Sequence, residues 1–241
     1  MKVAVILFPG SNDHENSKRA AEAAGLPAEI VRWNAENIAD YDGYILPGGW
    51  SYEDRIRAGV IAAKEAVMAT IKEQATAGKP VLGICNGAQI LVESGLVPGN
   101  DKVEMALAPN TNPWISGYYC TWVRLKAVRD TAFTRTGDTF RIPVAHGEGR
   151  FTTNTPAVLD GKITLQYCDD QGNVNEAFPI TPNGSMQAIA GIANEQGNVL
   201  AMMPHPERSS WMRQVPGETG NDAGPCRSFF TNMKTYIEGR Q

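Results

Sequence analysis

The chain has 241 residues, of which 42 % are apolar and 20 % charged, and its formal net charge is −4. This composition is typical of a globular protein with a large core and excludes a disordered chain. The sequence contains no block of like charge and no run of about 18 apolar residues. It therefore predicts neither a nucleic-acid-binding face nor a membrane-spanning helix.

The N-terminus and the cysteines indicate in which cellular compartment the protein works. The apolar stretch Met1–Phe8 runs into Pro9-Gly10, and we interpret it as a buried first strand and not as a signal peptide. The four cysteines show no Cys-x-x-Cys spacing, and with only three histidines the chain has no zinc pattern. We interpret the cysteines as free thiols and predict a soluble, cytoplasmic protein without a metal site.

In chain order, the first half alternates strands with helices. Asn12 and Glu15 are interpreted as a capping box for a helix that ends at Gly25. A long helix is predicted over Val60–Thr76. The predicted strands of this half are Lys2–Phe8, Glu29–Trp33, Gly43–Leu46 and Val81–Ile84, and a helix at Ala88–Ser94 follows the last of them.

The second half changes to strands separated by turns. These predicted strands are Thr121–Val128, Ile163–Tyr167, Ser185–Ile192 and Val199–Met203. Ala193–Asn198 is predicted to form a hairpin, and Cys226–Ile237 a C-terminal helix. The whole pattern predicts an α/β fold with a mostly parallel open sheet, helices on both faces and extra antiparallel strands. We find no repeat and no linker, and therefore predict a single domain over residues 1–241.

The pentapeptide Gly83-Ile84-Cys85-Asn86-Gly87 has the form of a nucleophile elbow between a strand and a helix. The glycines suit a turn so tight that larger neighbours would clash. The turn would place the Cys85 sulfur at the helix N-terminus, where the helix dipole favours a thiolate. The backbone N–H of Asn86 would then face a developing oxyanion. By itself, the pentapeptide is equally consistent with a buried, inert cysteine.

Two further segments follow predicted strands. The two glycines of Pro47-Gly48-Gly49-Trp50 would let a substrate approach the backbone and would supply a second oxyanion N–H. In the segment Met203–Glu207, His205 and Glu207 are two residues apart in extended chain and point to the same side. His205 would accept the thiol proton, and Glu207 would orient the imidazole. Each segment alone is also consistent with an ordinary turn.

Taken together, the three segments favour a cysteine enzyme. Oxyanion loop, nucleophile, base and orienting carboxylate occur in this order, each at the end of a predicted strand. We therefore predict a catalytic triad of Cys85, His205 and Glu207, with the imidazole within a few ångströms of the sulfur.

Over nearly its whole length the sequence resembles the class I, or triad, glutamine amidotransferases. It closely resembles one branch of that family, the glutaminase subunits of phosphoribosylformylglycinamidine synthases. Asn86, the loop Ala145-His146-Gly147-Glu148-Gly149 and the segment Asn183-Gly184-Ser185 carry the likeness to the branch. The other matching segments are Phe8–Asn12, Pro47–Tyr52, Gly83–Gln89, Tyr119–Val123 and Met202–Arg208.

The resemblance implies a flavodoxin-like fold and a reaction. Glutamine would be hydrolysed to glutamate and ammonia through a Cys85 thioester. The ammonia would pass to a synthase that converts formylglycinamide ribonucleotide to formylglycinamidine ribonucleotide in de novo purine biosynthesis. The implied site residues are Cys85 as nucleophile, His205 as base, Glu207 as orienting residue, Gly49 and Asn86 as oxyanion donors, and Gln89 as a glutamine-binding residue.

The resemblance also implies partners. No cofactor is expected in this chain, which has no phosphate-binding loop. ATP and magnesium are expected on a large synthase subunit, and a small accessory subunit is expected in the same complex. No nucleic acid or membrane is expected as a partner.

The sequence departs from the family pattern at two positions. Asp13 stands where the family often has Cys, and Glu53 stands where it often has Gly. Because both lie outside the triad, we expect them to affect partner contacts more than chemistry. For His146 and Glu148 two interpretations stay open: they face the partner or the ammonia exit, or they are satisfied polar side chains of a glycine-rich loop.

Three alternative functions stay open at this point. In the first, the chain serves a synthase other than the purine enzyme. In the second, it is a cysteine hydrolase similar to intracellular peptidases and deglycases, although these usually lack the His-Pro-Glu segment present here. A scaffold with a dead site is the third alternative, against which the complete triad argues.

Overall fold

The structure, a computed structural model, describes residues 1–99, 101–114 and 117–240. The α-helices are α1 (His14–Ala23), α2 (Ala66–Thr76), α3 (Asn86–Glu93) and α4 (Ser228–Glu238). The strands are β1 (Val3–Leu7), β2 (Ala28–Arg32), β3 (Gly43–Leu46), β4 (Val81–Ile84), β5 (Ala106–Ala108), β6 (Tyr119–Ala127), β7 (Thr139–His146), β8 (Arg150–Thr152), β9 (Ile163–Cys168), β10 (Ile189–Ala193) and β11 (Val199–Met202).

Nine of these strands form one mixed sheet in the order β2-β1-β3-β4-β11-β10-β9-β6-β7. The first five run parallel, and β4 lies at the centre between β3 and β11. Strands β1, β3, β4 and β11 are almost wholly buried, as expected for continuous Val, Ile and Leu runs covered on both faces. Because parallel strands end at one edge, the segments after β3, β4 and β11 meet there.

The other four strands of the large sheet are antiparallel. Strand β10 forms an antiparallel hairpin with β11. Strands β9, β6 and β7 follow in the sheet, and each is antiparallel to the strand beside it. Strands β5 and β8 form a separate two-stranded sheet. The predicted fold class is confirmed: a mostly parallel sheet flanked by helices, with antiparallel strands supplied by the second half.

Two helix starts differ from prediction. The residue before α1 is Asp13, and no side chain caps this helix, so the capping box of Asn12 and Glu15 is wrong. The predicted helix over Val60–Thr76 is an α-helix only from Ala66, because Glu65 has an extended backbone. A 3₁₀ turn precedes it, and tertiary packing here overrides the high helix propensity of an alanine-rich run.

Four strands also differ: β5, β7 and β8 have no predicted counterpart, and β10 begins later than predicted. Strand β7 contains Pro143, and a proline argues against a central strand. The structure resolves this by placing β7 at the edge of the sheet. The predicted strand Ser185–Ile192 begins only at Ile189, because Gln187 and Ala188 have positive φ angles of 52° and 53°.

Within the described residues, no helix combines the length and the apolar character that crossing a membrane requires.

Candidate active site

Cys85 lies on a strained turn between β4 and α3. Its φ of 51° and ψ of −108° are unfavourable for a residue with a Cβ. A Cβ on Gly87 would lie 1.9 Å from the Leu46 carbonyl oxygen, and one on Gly83 would lie 2.6 Å from the Gly87 carbonyl oxygen. The flanking glycines are therefore required by close backbone packing, as the elbow pattern predicts.

The loop after β3 packs against the segment that precedes α1. The Trp50 N–H donates to the Gly10 carbonyl oxygen over 2.9 Å, and the Asp13 N–H donates to the Gly48 carbonyl oxygen over 3.2 Å. Gly49 has a φ of +148°, and a Cβ there would lie 2.6 Å from the Gly10 oxygen. These contacts fix the Gly49 backbone beside Cys85 in the wall of one pocket.

His205 follows β11 and is fixed by a backbone hydrogen bond to β7 and a side-chain hydrogen bond to Glu207. Its backbone N–H donates to the Pro143 carbonyl oxygen of β7 over 2.9 Å. Its Nδ1 lies 2.6 Å from Oε1 of Glu207, and both side chains are buried. This hydrogen bond places the proton on Nδ1 and leaves Nε2 as the acceptor of the neutral imidazole.

Cys85 and His205 converge above Gly48. A Cβ on Gly48 would lie 3.5 Å from Cβ of Cys85 and 3.0 Å from Cε1 of His205. His205 Nε2 is buried and makes no hydrogen bond of ordinary geometry with the described residues. The sulfur and the imidazole, 120 positions apart in the sequence, are thus brought side by side.

The charges around His205 favour its protonated form. Burial by itself lowers the pKa of His205, but the carboxylate of Glu207 and the sulfur of Cys85 overcome this effect and raise that pKa to about 10. A thiolate beside an imidazolium is the arrangement that activates a cysteine nucleophile.

A polar cluster ties α3 to the loops around the pocket. The Asn86 side chain accepts from the Ser51 N–H over 3.0 Å and donates to Oε1 of Gln89 over 2.9 Å. Gln89 donates to the Glu148 carbonyl oxygen over 2.8 Å. Asn86, Gln89 and the His-Gly-Glu-Gly loop therefore form one connected wall.

Two carboxylates face the pocket beside this wall. Asp54 accepts a long hydrogen bond of 3.4 Å from Asn86 Nδ2, and both Asp54 and Glu148 line the pocket. Burial and the nearby charge of Glu148 raise the pKa of Asp54 to about 6. Two carboxylates in one pocket are suited to a cationic group.

His146 lies at the end of β7 in the pocket wall. Its Nδ1 is 3.1 Å from Oδ1 of Asn110, which also accepts from the Gly149 N–H. Burial, and then the charge of His205, lower the pKa of His146 to about 3, so this ring is neutral. The structure thus places His146 and Glu148 at the pocket that holds Cys85 and not on a separate surface.

Asp13 corrects an expectation drawn from the sequence. Its carboxylate is buried and its Oδ2 lies 3.7 Å from Nδ1 of His205 and 2.5 Å from Arg208. The departure at position 13 therefore lies within the candidate site itself. Glu53, in contrast, is exposed and pairs with Arg55.

Asp13, His205 and Glu207 also offer donor atoms within 4.8 Å of one another, as a metal site would. Arg208 already supplies the positive charge that Asp13 faces, and His205 supplies the one that Glu207 faces. Hydrogen bonds within the protein account for this cluster without a metal ion.

Sequence reasoning missed several pocket residues. Asp54, Tyr118 and Arg208 line the pocket with the predicted residues. Arg208 directly follows the His-Pro-Glu segment, which is a signal that its side chain lies nearby. Asp54 and Tyr118 have no such signal, because only the folded loops bring them to Cys85. The pocket encloses about 180 Å³ and is lined by Asn12, Asp13, Gly49, Trp50, Asp54, Cys85, Gln89, Tyr118, Ala145, His146, Gly147, Glu148, His205 and Arg208.

This fold and site define a class of protein. A buried cysteine on an elbow, a histidine paired with a glutamate and a glycine loop lie at the carboxyl edge of the parallel strands. The family model of the CobB/CobQ-like glutamine amidotransferase domain matches residues 1–237, and the chain belongs to this family.

Curated relatives narrow the family to one branch. "Phosphoribosylformylglycinamidine synthase subunit PurQ" of Methanothrix thermoacetophila is 44 % identical over 261 aligned positions that cover all of both chains. The protein of the same name from Pyrococcus horikoshii is 47 % identical over 214 positions, which cover 87 % of this chain and 90 % of that one. The chain is thus a member of the PurQ branch, the glutaminase subunits of phosphoribosylformylglycinamidine synthase, as the sequence predicts.

Solved structures agree. A chain in the structure of PurLQS from Thermotoga maritima matches with a TM-score of 0.79 and 33 % identity over 98 % of each chain. A glutamine amidotransferase, also from Thermotoga maritima, matches all of this chain and 85 % of its own with a TM-score of 0.53. At 17 % identity, this second likeness shows the shared fold alone.

Proposed function

We propose that this subunit releases ammonia from glutamine through a thioester on Cys85, with His205 as acid and base and Glu207 as the residue that orients His205. The observation that carries the proposal is the convergence of Cys85 and His205 above Gly48, in a pocket at the sheet edge. A buried hydrogen bond of 2.6 Å between His205 and Glu207 completes the arrangement.

In the first step, the Cys85 thiolate attacks the amide carbon of glutamine. The amide oxygen gains negative charge and accepts hydrogen bonds from the backbone N–H groups of Gly49 and Asn86. Asn86 is the first residue of α3, and the first N–H groups of a helix lack partners within the helix. The imidazolium of His205 gives its proton to the leaving nitrogen, ammonia departs, and a thioester remains.

In the second step, neutral His205 takes a proton from water as the water oxygen attacks the thioester carbon. The same two N–H groups hold the second oxyanion. Its collapse breaks the carbon–sulfur bond, releases glutamate and restores the thiolate beside the imidazolium. The Glu207 hydrogen bond keeps the ring in one orientation through both steps.

The other end of glutamine carries an α-ammonium group. Asp54 and Glu148 supply two carboxylates in the same pocket, and the Gln89 side chain connects Asn86 to the loop that bears Glu148. We assign these residues to recognition of the α-ammonium group. A substrate without this charge would leave both carboxylates without a counter-charge.

The ammonia passes to a synthase partner that uses ATP and magnesium to aminate formylglycinamide ribonucleotide, with a small accessory subunit in the same assembly. The curated relatives are by name subunits of that synthase, and the similar Thermotoga maritima structure is by name that of PurLQS. Both names support the assignment of the ATP step to partner subunits.

The test uses the reconstituted synthase complex with either glutamine or an ammonium salt as nitrogen source. Cys85→Ala is expected to lower the glutamine-dependent rate by at least about 10³-fold, because the nucleophile is lost. The ammonium-dependent rate should stay at the wild-type level, since the synthase site is untouched. Cys120→Ala, which changes an exposed thiol, is the matched control.

If Cys85→Ala abolishes both rates, the residue is structural and the proposal fails. If it abolishes neither, another group releases the ammonia.

A further inference from the structure

Asp13 is a buried carboxylate that does not cap helix α1. It precedes the helix, yet its side chain makes no capping hydrogen bond. Only 3 % of the residue is exposed, and a buried carboxylate is costly unless it is paired. Asn16 of α1 donates a hydrogen bond to Oδ1 over 3.1 Å, but this amide is uncharged, so the charge of Asp13 needs a partner outside the helix.

The carboxylate is held by Arg208 and lies close to the proposed catalytic base. Arg208 donates from Nη2 to Oδ2 over 2.5 Å and from Nε to Oδ1 over 3.3 Å, a two-point contact. The same Oδ2 lies 3.7 Å from His205 Nδ1, the nitrogen that Glu207 reaches at 2.6 Å. The imidazole thus faces two carboxylates, and one of them, that of Asp13, is also paired with the guanidinium of Arg208.

We propose that Asp13 and Arg208 form a charge pair that sets the pH range of the glutaminase, with Asp13 acting as a positioning residue beside His205. This inference rests on the proposed roles of Cys85 and His205. Asp13 places a negative charge 3.7 Å from Nδ1 of the imidazole and offsets the positive charge of Arg208, with which it is paired.

The pKa values of the other groups that face His205 lie far from neutral pH, so their titration does not hide the effect of the pair. Burial lowers the pKa of His146 to about 3, and burial together with the charge of Cys85 raises the pKa of Tyr118 to about 12. The pKa of Asp13 is lowered, because His205 and Arg208 outweigh its burial. The charged groups around the imidazole are Asp13 from the α1 entry, Cys85 from the elbow, and Glu207 and Arg208 from its own segment.

The signs of the expected shifts follow from these charges. Asp13→Asn removes a negative charge beside the imidazolium and leaves Arg208 with Glu207, 3.8 Å away, as its acidic neighbour, so the imidazolium loses its proton more easily. The alkaline limb of the pH profile, which reports the imidazolium, should then move to lower pH, by about one unit or more for a charge this close. Arg208→Gln removes a positive charge and should move the same limb to higher pH.

The experiment measures kcat at saturating glutamine, where the effect of Asp54 on KM does not enter, from about pH 6 to 11 in the assembled complex, for the wild type, both single variants and the double variant. Asp13→Asn and Arg208→Gln should shift the profile in opposite directions, and the double variant should lie between them. Glu15→Gln, which removes an exposed carboxylate of the same segment, should leave the profile unmoved.

Reduced rates with an unmoved alkaline limb in both single variants would show a merely structural pair and overturn the inference. Shifts of both variants in the same direction would also overturn it. If Asp13→Asn fails to fold, Arg208→Gln and its direction of shift decide alone. Failure of the proposed function is separate, because it appears as full glutamine-dependent activity of Cys85→Ala.

Discussion

At the scale of single residues, the site holds several charged side chains close together. His205 is 2.6 Å from Glu207 and lies beside Cys85 above Gly48, and the pair of Asp13 and Arg208 flanks them. On the other side of the pocket, burial and Glu148 raise the pKa of Asp54 to about 6. In the proposed reaction the two regions have different tasks: the first breaks the amide bond, and the second selects an amino acid.

Replacing Asp54 with Asn tests this division. Loss of one charged hydrogen bond, worth about 1.5–3 kcal/mol, should raise the KM for glutamine about tenfold or more with a smaller effect on kcat. In the wild type, KM should rise as the pH falls through about 6, because protonated Asp54 no longer attracts an ammonium group. The variant should lack this pH dependence.

Steady-state kinetics of the complex provide the measurement, and Glu53→Gln, at an exposed neighbouring position, is the control. An unchanged KM in Asp54→Asn would remove Asp54 from substrate recognition.

At the scale of elements, three loops at the carboxyl ends of β3, β4 and β11 build the site, and the edge strand β7 closes it. The elbow depends on the approach of α3 to β3, where Gly87 packs on the Leu46 backbone. The strained Cys85 backbone persists because this packing leaves it no alternative.

Gly87→Ala should therefore destabilise the fold. Its Cβ would meet backbone atoms of β3, which cannot move aside as a flexible side chain does. We expect a loss of about 3 kcal/mol or more in the free energy of unfolding, which lowers Tm by about 6–12 °C. Calorimetry measures Tm, with Gly239→Ala as the control, because a Cβ there has ordinary contacts of 3.5 Å and longer. Equal Tm values for both variants would show that the elbow is loosely packed.

The sequence predicted the parallel half of the fold well, because buried strands and their glycine ends are local patterns. The elbow glycines and the His-Pro-Glu segment were enough to predict that the fold brings Cys85 and His205 together. The pairing of Asp13 with Arg208, 195 positions apart, was not predictable, because it depends on how α1 meets the segment after β11. Strand β7 was not predicted either. Its Pro143 is acceptable only at the edge of a sheet, and which strand lies at the edge depends on the whole topology.

At the scale of the whole molecule, the pocket opens beside exposed apolar side chains. Trp50 is 45 % exposed and Tyr118 is 49 % exposed, and their ring centroids are 6.0 Å apart at the pocket wall. Ile56, six positions after Trp50 in the sequence, is 87 % exposed. Exposed apolar side chains of this kind are typical of a surface that a partner protein covers.

Covalent labelling tests directly whether Cys85 is the nucleophile. The assembled complex is treated with a glutamine-analogue electrophile, with and without excess glutamine, and the modified peptide is identified by mass spectrometry. We expect modification of buried Cys85, protection by glutamine, and no modification of exposed Cys120. Labelling of Cys120 with Cys85 unmodified would show that Cys85 is not the nucleophile.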